Sequence, residues 1–249
     1  MYMTKRSIAI VTGASQTRDI GAAICRQLVS SGHDLVFTYF KATADWADSF
    51  TTELENQGAR VLAIELDLSQ SDAADKLFAR IEDVGAPSIL INNAAHSTMT
   101  DWQTLDAASL DQHYAVNLRA PLLLATRFTK RFAEAHLTSG RIIQLTSGQD
   151  LGPMPDEIAY ATTKGALSTF TKTYAAAVAP LGITVNAINP GPTDSTWMDE
   201  ATRTALKPSF PFGRIGAPED VARLIQFLVS PDGGWVTGQV IHSEGGFER

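Results

Sequence analysis

The chain has 249 residues, 44% of them hydrophobic, and a formal net charge of −7. A chain of this length and composition can bury a full core and stays near the upper limit of one domain, so we expect a single domain over residues 1–249. The acidic balance argues against nucleic acid or an anionic membrane surface as a partner, because both bind clustered Lys and Arg side chains.

The cysteine and histidine content excludes further classes. Cys25 is the only cysteine, which rules out an intrachain disulfide and fits a reducing cytoplasm. The histidines are scattered without ligand spacing, so no metal site is expected. Residues 1–7 are too short and polar for the apolar core of a signal peptide, and no apolar run reaches the ~20 residues of a membrane span. The sequence therefore predicts a soluble, cytoplasmic protein.

Short apolar runs alternate with longer stretches of helical periodicity. This alternation is typical of an α/β fold in which helices cover both faces of a parallel sheet. We predict strands at 7–11, 34–39, 60–65, 89–92, 140–145, 184–188 and 239–242. We predict helices at 21–31, 44–56, 71–84, 105–137, 159–179 and 218–229. The expected fold is one Rossmann-type, doubly wound domain with a mostly parallel seven-stranded sheet.

One segment, residues 195–212, departs from this rhythm. It contains prolines and large apolar side chains among polar residues: Trp197, Met198, Phe210 and Phe212. Long irregular loops in compact domains are usually functional, which favours a mobile substrate lid over a packed surface loop.

The first predicted strand runs directly into the segment Thr12–Gly21 and then into a helix. Gly13 can turn the backbone sharply and let it approach a pyrophosphate, and the helix N-terminus offers unpaired N–H groups. This position, at the first strand-to-helix turn, is the context of a dinucleotide site. The alternative is a simple turn glycine followed by a glycine at the helix start, Gly21.

Two further positions bear on the nucleotide. Asp67, after the third strand, can accept a hydrogen bond from the adenine amine, or it can cap the next helix or be solvated. The second strand ends in Thr38–Lys41 without the carboxylate that binds the ribose 2′-hydroxyl of NAD, which favours NADP(H) and leaves NAD(H) possible. Lys41 and Arg18 can pair with the 2′-phosphate, although Asp19 adjoins Arg18.

Three residues carry the candidate chemistry. Tyr160 and Lys164 lie four residues apart on a predicted helix, so their side chains share one face. A phenol with a pKa of about 10 exchanges protons near neutrality only when its anion is stabilised, and a nearby ammonium does this. Ser147 ends the fifth strand at the carboxyl edge of the sheet, where its hydroxyl can bind a substrate oxygen. Each residue alone is typical of a surface or a turn. The interpretation as a catalytic group rests on the arrangement of all three.

These residues together resemble the short-chain dehydrogenase/reductase family along the whole chain, and closely its 3-oxoacyl-carrier-protein reductase-like branch. The matching motifs are Thr12–Gly21 for the cofactor loop, Asn92–Ala95 for the Asn-Asn-Ala-Gly segment, Tyr160 and Lys164 for Tyr-x-x-x-Lys, Ser147 thirteen residues before that tyrosine, Asn117, Asn189–Asp194, and Gly238–Ile241 for the last strand.

The resemblance implies a role for each of four residues. Tyr160 would act as general acid or base, and Ser147 would hold the carbonyl oxygen. Lys164 would bind the ribose hydroxyls and lower the tyrosine pKa, and Asn117 would support a water relay. The implied cofactor contacts are Gly13, Ser15, Arg18, Ile20, Gly21, Tyr39, Lys41, Asp67, Leu68, Asn93, Ala94, Tyr160, Lys164, Pro190, Gly191 and Thr193. Substrate-facing candidates are His96, Gln149, Asp150, Met154 and Asp156.

The cofactor loop departs from the family pattern. Seven residues separate Gly13 from Gly21 without a middle glycine, so the loop partly resembles that of the related enoyl reductases. Ala95 stands where glycine is common, and its methyl group should be tolerated. An enoyl reductase is disfavoured, because those members usually separate the active Tyr and Lys by six residues rather than three.

The expected activity is NADP-preferring interconversion of a ketone and a secondary alcohol, as in 3-oxoacyl thioester reduction. The alternatives are oxidation of a sugar or steroid alcohol, and a cofactor-binding sensor without turnover. The intact set of Ser147, Tyr160, Lys164 and Asn117 argues against the sensor. The resemblance also implies a homotetramer, built through the predicted helices at 105–137 and 159–179 and the final strand region.

Overall fold

A computed structural model describes residues 6–43 and 45–249. Its strands are β1 (Ile8–Val11), β2 (Asp34–Tyr39), β3 (Val61–Glu65), β4 (Ile89–Asn92), β5 (Gly140–Leu145), β6 (Ile183–Asn189) and β7 (Val240–His242). They form one seven-stranded sheet in the order β3-β2-β1-β4-β5-β6-β7. Every neighbouring pair is parallel, so the sheet predicted as mostly parallel is parallel throughout.

Helices connect the strands, because a parallel pair needs a crossover from the end of one strand to the start of the next. They are α1 (Ile20–Ser30), α2 (Trp46–Glu55), α3 (Ala73–Arg80), α4 (Ala107–Tyr114), α5 (Ala120–Glu134), α6 (Ile158–Val178), α7 (Glu200–Leu206) and α8 (Pro218–Val229). The predicted doubly wound α/β fold is confirmed.

The core divides into two apolar clusters, one on each face of the sheet. In β1, Ala9 and Val11 point into the cluster shared with α1, α2 and α8, whereas Ile8 and Ile10 point into the cluster shared with α3, α5 and α6. Successive side chains of a strand alternate between faces, and both faces here are covered. This explains why the strand sequences are continuous apolar runs.

The helix predicted at 105–137 runs without a break over 107–134, but its hydrogen bonding changes in the middle. α4 ends at Tyr114, residues Ala115–Arg119 form a π-helical turn, and α5 begins at Ala120. The π turn carries the fully buried Asn117. A single π turn adds one residue to the helical phase, a change that apolar periodicity over a long segment does not reveal.

Other helix ends also differ from the predictions. The predicted start of α2 at Ala44 lies outside the described residues. α3 is shorter than the predicted 71–84, since Asp72 occupies its N-cap position and it ends at Arg80. These differences lie at exposed termini, where the apolar pattern is weakest.

Residues 195–212 are partly helical rather than irregular, because they contain α7. The Asp199 carboxylate accepts a hydrogen bond from the Thr202 N–H at 2.7 Å and so begins that helix. Two of the large apolar side chains, Met198 and Phe210, are buried. The other two, Trp197 and Phe212, are exposed. A seven-residue helix is too short for periodicity to identify, and the lid role stays a prediction.

The strand order reverses at β1, which has β2 on one side and β4 on the other. In an open α/β sheet, ligands bind outside the carboxyl ends of the strands at such a reversal. Gly13 follows β1, Asn93 follows β4, and Ser147 lies just after β5, so all three emerge at this edge. The single domain expected over residues 1–249 stays a prediction.

Among the described residues, no helix is both long and apolar enough to cross a membrane.

Candidate active site

The predicted catalytic group comes together between β5 and α6. Lys164 Nζ lies 5.4 Å from the centroid of the Tyr160 ring and donates a hydrogen bond to Leu145 O at 2.6 Å. The Ser147 hydroxyl lies near enough to Tyr160 to lower the pKa of its phenol. Because Tyr160 and Lys164 are one helical turn apart, α6 presents both to the end of β5.

Burial dominates the electrostatics of this group. Burial raises the pKa of Tyr160 to about 12, against the nearby Ser147 hydroxyl, which lowers it. Burial also lowers the pKa of Lys164 to about 8, because its charged form loses solvation. The structure identifies Ser147 as the group that lowers the tyrosine pKa, so the lowering assigned to Lys164 stays a prediction.

Asn117 connects the loop after β4 to α6. Its Oδ1 accepts a hydrogen bond from the His96 N–H at 2.7 Å. Its Nδ2 donates to His96 O at 2.8 Å and to Thr163 Oγ1 at 3.2 Å. Thr163 adjoins Lys164 and its hydroxyl donates to Tyr160 O at 2.8 Å. The π turn therefore places one amide where it bonds to both the loop after β4 and α6.

We expect Asn117→Ala to lower the free energy of unfolding by about 2–4 kcal/mol, since the His96 N–H and C=O lose their Asn117 partners and Thr163 loses one of its two hydrogen bonds. The matched control is Asn56→Ala at an exposed position, which should change stability by less than about 0.5 kcal/mol. Urea unfolding of both variants checks this. Equal stability of the two variants would contradict the role of Asn117.

The cofactor loop keeps its two glycines in contact despite its length. A Cβ on Gly21 would lie 2.5 Å from Gly13 O, and a Cβ on Gly13 would lie 2.6 Å from Ala94 Cα. Gly13 also has a φ of +74°, which side chains rarely adopt. Only glycine fits at either position, and the additional residues extend outward from this contact.

Asn93 and Thr12 hold the loop against the end of β4. Asn93 Nδ2 donates to Thr12 O at 3.0 Å and to Gly13 O at 2.9 Å. Thr12 Oγ1 accepts hydrogen bonds from the Asn93 and Ala94 N–H groups, both at 3.1 Å. Thr12 is not among the predicted cofactor contacts. Its position directly after β1 is the sequence feature that could have identified it.

A cavity of about 560 Å³ opens beside this loop. Predicted cofactor contacts in its lining are Gly13, Ser15, Tyr39, Lys41, Asp67, Leu68, Asn93 and Ala94. Asp67 accepts hydrogen bonds from Ser69 N at 2.9 Å and Gln70 Nε2 at 3.1 Å. It does not cap α3, whose N-cap position is Asp72, so its carboxylate belongs to a turn that lines the cavity.

A second cavity, of about 460 Å³, adjoins the first through Ser15 and Lys41. Its lining includes Arg18 and residues of the segment 195–212, such as Thr196. Arg18 is largely exposed and lies 3.6 Å from Asp194. The two cations proposed for the 2′-phosphate therefore border one cavity.

The neighbour of Arg18 does not pair with it. The Asp19 carboxylate instead accepts a hydrogen bond from Thr196 Oγ1 at 2.5 Å. Asp19 occupies the N-cap position of α1 without capping it, and Ile20 begins that helix. The Asp19 carboxylate is therefore bonded to the segment 195–212 rather than to Arg18.

The segment after β6 is held by Asn189, from the predicted motif, and by two residues that the sequence did not identify, Glu244 and Arg249. Gly191 N donates to Asn189 Oδ1 at 2.9 Å, and Asn189 Nδ2 donates to Glu244 Oε2 at 2.9 Å. Arg249 binds both Glu244 oxygens, at 2.9 and 2.6 Å. Thr193 is buried. This ion pair near the chain end fixes the turn that contains the predicted contacts Pro190 and Gly191.

His96 borders the first cavity and is a half-buried side chain. Its ring lies 4.7 Å from the ring of His113, which is fully buried. Burial and His113 both lower the pKa of His96, so it is neutral near pH 7. Across residues 6–43 and 45–249, no group of three His, Cys, Asp or Glu side chains is arranged to hold a metal ion.

Comparison with known proteins gives a consistent set of relatives. Residues 13–248 match the family described as "Enoyl-(Acyl carrier protein) reductase". The chain is 54% identical, over the full length of both proteins, to the uncharacterized oxidoreductase YjdA of Bacillus subtilis. It is 31% identical to the 3-oxoacyl-[acyl-carrier-protein] reductase FabG of Aquifex aeolicus, covering 96% of each chain. A solved short-chain dehydrogenase/reductase of Serratia marcescens superposes with a TM-score of 0.88 at 32% identity, covering 98% of each chain.

Proposed function

Because the chain belongs to the short-chain dehydrogenase/reductase family of oxidoreductases, we propose that it interconverts a ketone and a secondary alcohol by hydride transfer with a nicotinamide cofactor. The observation that carries the proposal is the meeting of Ser147, Tyr160 and Lys164 at the carboxyl edge of the sheet. Carbonyl reduction needs a donor to hold the substrate oxygen and an acid to protonate it, which Ser147 and Tyr160 can supply. Lys164 places a cation beside the phenol.

Proton handling by the chain follows from these positions. Ser147 donates a hydrogen bond to the carbonyl oxygen, and Tyr160 transfers its proton to that oxygen as the carbonyl carbon accepts hydride. With a pKa raised to about 12, Tyr160 keeps its proton near neutrality, and a nearby positive charge would be needed to favour its release. The ammonium of Lys164 stabilises the phenolate that remains.

The residues around the nucleotide cavity fit a dinucleotide. Gly13 and Gly21 leave no room for side chains, which lets backbone approach phosphate closely at the start of α1. The bound cofactor would supply the hydride. Asp67 and Leu68 would contact the adenine, and Asn93 would keep the loop in place. Lys164 would bind the ribose hydroxyls, and Pro190, Gly191 and Thr193 would contact the nicotinamide end.

We propose a preference for NADP(H), carried by Lys41 and Arg18 beside the second cavity. Lys41→Ala should raise the dissociation constant of NADPH about tenfold, since about 1.4 kcal/mol of phosphate contact is lost. The dissociation constant of NADH should not change. Fluorescence titration measures both, with Lys130→Ala, at an exposed position of α5, as the matched control. Equal weakening of both cofactors would contradict the preference.

A 3-oxoacyl thioester is the substrate class we propose, in line with the printed activity of the Aquifex relative. Exposed apolar side chains on three segments support an apolar acyl chain: Met99, Leu151 and Phe212. Met99 adjoins Thr100, which pairs with Glu157 just before α6. The enoyl reductase activity in the family description is not carried over, since three residues, rather than six, separate Tyr160 from Lys164.

The experiment is to follow oxidation of NADPH, and separately NADH, by the purified enzyme with an acetoacetyl thioester. We expect NADPH oxidation with formation of the 3-hydroxyacyl thioester. Binding of NADPH without oxidation across a broad panel of ketones would overturn the proposal in favour of a sensor. Efficient oxidation of sugar or steroid alcohols with NAD would instead favour the dehydrogenase alternative.

We further propose a homotetramer in the cytoplasm. Exposed apolar side chains on α4 and α5 support association through these helices: Leu110, Tyr114 and Leu123. Removing such side chains from water favours oligomers. Sedimentation should give a tetramer at micromolar concentration, and a monomer would contradict the proposal.

A further inference from the structure

The turn that follows Ser147 bonds back to it through a side chain. Gln149 Oε1 accepts a hydrogen bond from the Ser147 N–H at 3.0 Å. Gln149 Nε2 donates to Asp150 Oδ2 at 2.9 Å and to Ser168 Oγ at 3.1 Å. The Ser168 hydroxyl donates to Asp150 Oδ2 at 2.8 Å. We call Gln149, Asp150 and Ser168 the glutamine bracket.

Hydrogen-bond chemistry fixes the orientation of the Gln149 amide. An ionised carboxylate only accepts hydrogen bonds, so the NH₂ group of Gln149 must face Asp150. The amide oxygen then faces the Ser147 N–H. Ser168 is buried, with 5% of its surface exposed. Asp150 is exposed, so the bracket holds its acceptor through one buried and one exposed partner of the Gln149 amide.

The bracket begins where the backbone hydrogen bonds to β6 end. The Thr146 N–H still donates to Ile188 O of β6 at 2.8 Å. The next N–H, on Ser147, donates to Gln149 instead. Ser147 thus lies one residue beyond the sheet, and a side chain replaces the missing strand contact.

The anchor of the bracket is the catalytic helix. Ser168 lies one turn beyond Lys164 and two turns beyond Tyr160 on α6, so the three side chains share a face. The helix face that presents the phenol and the ammonium also anchors the amide that holds Ser147. A shift of the Ser147 backbone away from α6 would stretch the hydrogen bond between its N–H and Gln149.

We propose that Gln149 is a positioning residue: held by Asp150 and Ser168, it sets the place of the Ser147 hydroxyl relative to Tyr160. The inference rests on the proposed function of Ser147 as the group that holds the substrate oxygen. Gln149 does not contact the reacting atoms, and it acts through the backbone of Ser147.

The test variant is Gln149→Met, which keeps the length of the side chain and removes its hydrogen bonds. Misplacing a reacting group by about 1 Å costs about 10²-fold in rate, so kcat should fall about 10²-fold with the dissociation constant of NADPH unchanged. The matched control is Gln57→Met at an exposed position, which should keep the wild-type kcat. A wild-type kcat in Gln149→Met would overturn the inference.

A double-mutant cycle separates positioning from a general structural role. In a Ser147→Ala background, Gln149→Met should cause no further loss of kcat, because residues that act as a unit are non-additive. The pH profile of Gln149→Met should shift in the same direction as that of Ser147→Ala. The same fold loss in both backgrounds would show that the bracket only supports the turn, and would overturn the inference.

Amide hydrogen exchange provides a readout that does not depend on activity. The Ser147 N–H should exchange faster in Gln149→Met than in the wild type or Gln57→Met. Unchanged exchange at Ser147 overturns the inference on its own. Absence of turnover in the wild type would instead be a failure of the proposed function, so the two failures are distinguishable.

Discussion

Replacing Tyr160 with phenylalanine is expected to lower kcat/KM for carbonyl reduction by about 10³-fold, within the range lost on removing a positioned general acid. The ring remains in its half-buried place, and only the hydroxyl with its exchangeable proton is removed. Cofactor affinity and the free energy of unfolding should therefore stay near wild-type values. Steady-state kinetics, fluorescence titration and urea unfolding measure the three quantities.

Tyr174→Phe is the matched control for this change. Tyr174 is also on α6, and its hydroxyl bonds Ala125 O at 3.2 Å and Thr129 Oγ1 at 2.9 Å, away from Ser147. The control should keep wild-type kcat/KM. If Tyr160→Phe retained more than about a tenth of the activity, the general acid would have to be another group.

The second large effect is expected for Lys164→Met. The ammonium beside Tyr160 and the proposed ribose contact are both lost, so kcat/KM should fall by about 10²- to 10⁴-fold. Lys172→Met, at an exposed position of the same helix, should be without effect. If Lys164→Met kept wild-type kcat/KM, neither the ammonium nor its ribose contact would contribute to carbonyl reduction.

Stability should respond in the opposite sense. The pKa of Lys164 is lowered from 10.5 to about 8, so between these values the unfolded chain binds a proton that the folded chain does not. Wild-type stability should therefore rise with pH across this window, and near pH 7 the buried ammonium costs on the order of 3 kcal/mol. Lys164→Met removes this cost and leaves Leu145 O without that donor, which costs about 1–3 kcal/mol. We expect a net gain of about 0–2 kcal/mol in the free energy of unfolding at pH 7, and no comparable rise above pH 8 in urea unfolding of the variant. A similar rise in the variant would contradict the assignment.

The spatial grouping of the three candidate residues was predictable because its signals are local. Tyr160 and Lys164 share a helix face through their spacing, and Ser147 directly follows an apolar strand. The parallel order of the strands then brings them to one edge. Their protonation was not predictable, because the pKa values depend on burial by elements distant in sequence.

Other parts of the site depend on long-range contacts that a sequence pattern does not encode. The Asn189–Glu244–Arg249 network joins residues more than fifty positions apart, and the π turn at Asn117 is set by bonds to His96 and Thr163 rather than by apolar periodicity. Gln149 was identified only as a residue near the pocket. Its hydrogen bond to Ser168 depends on how α6 packs beside the turn, which the sequence pattern does not encode.

The most direct measurement of the central claim is isotope transfer from NADPH deuterated at the transferring C4 position to an acetoacetyl thioester. The account predicts a 3-hydroxyacyl product that carries one deuterium on the new carbinol carbon, formed by the wild type and absent with Tyr160→Phe on the same time scale. Product without that deuterium, or NADPH consumption without a carbinol product, would contradict hydride transfer to a carbonyl.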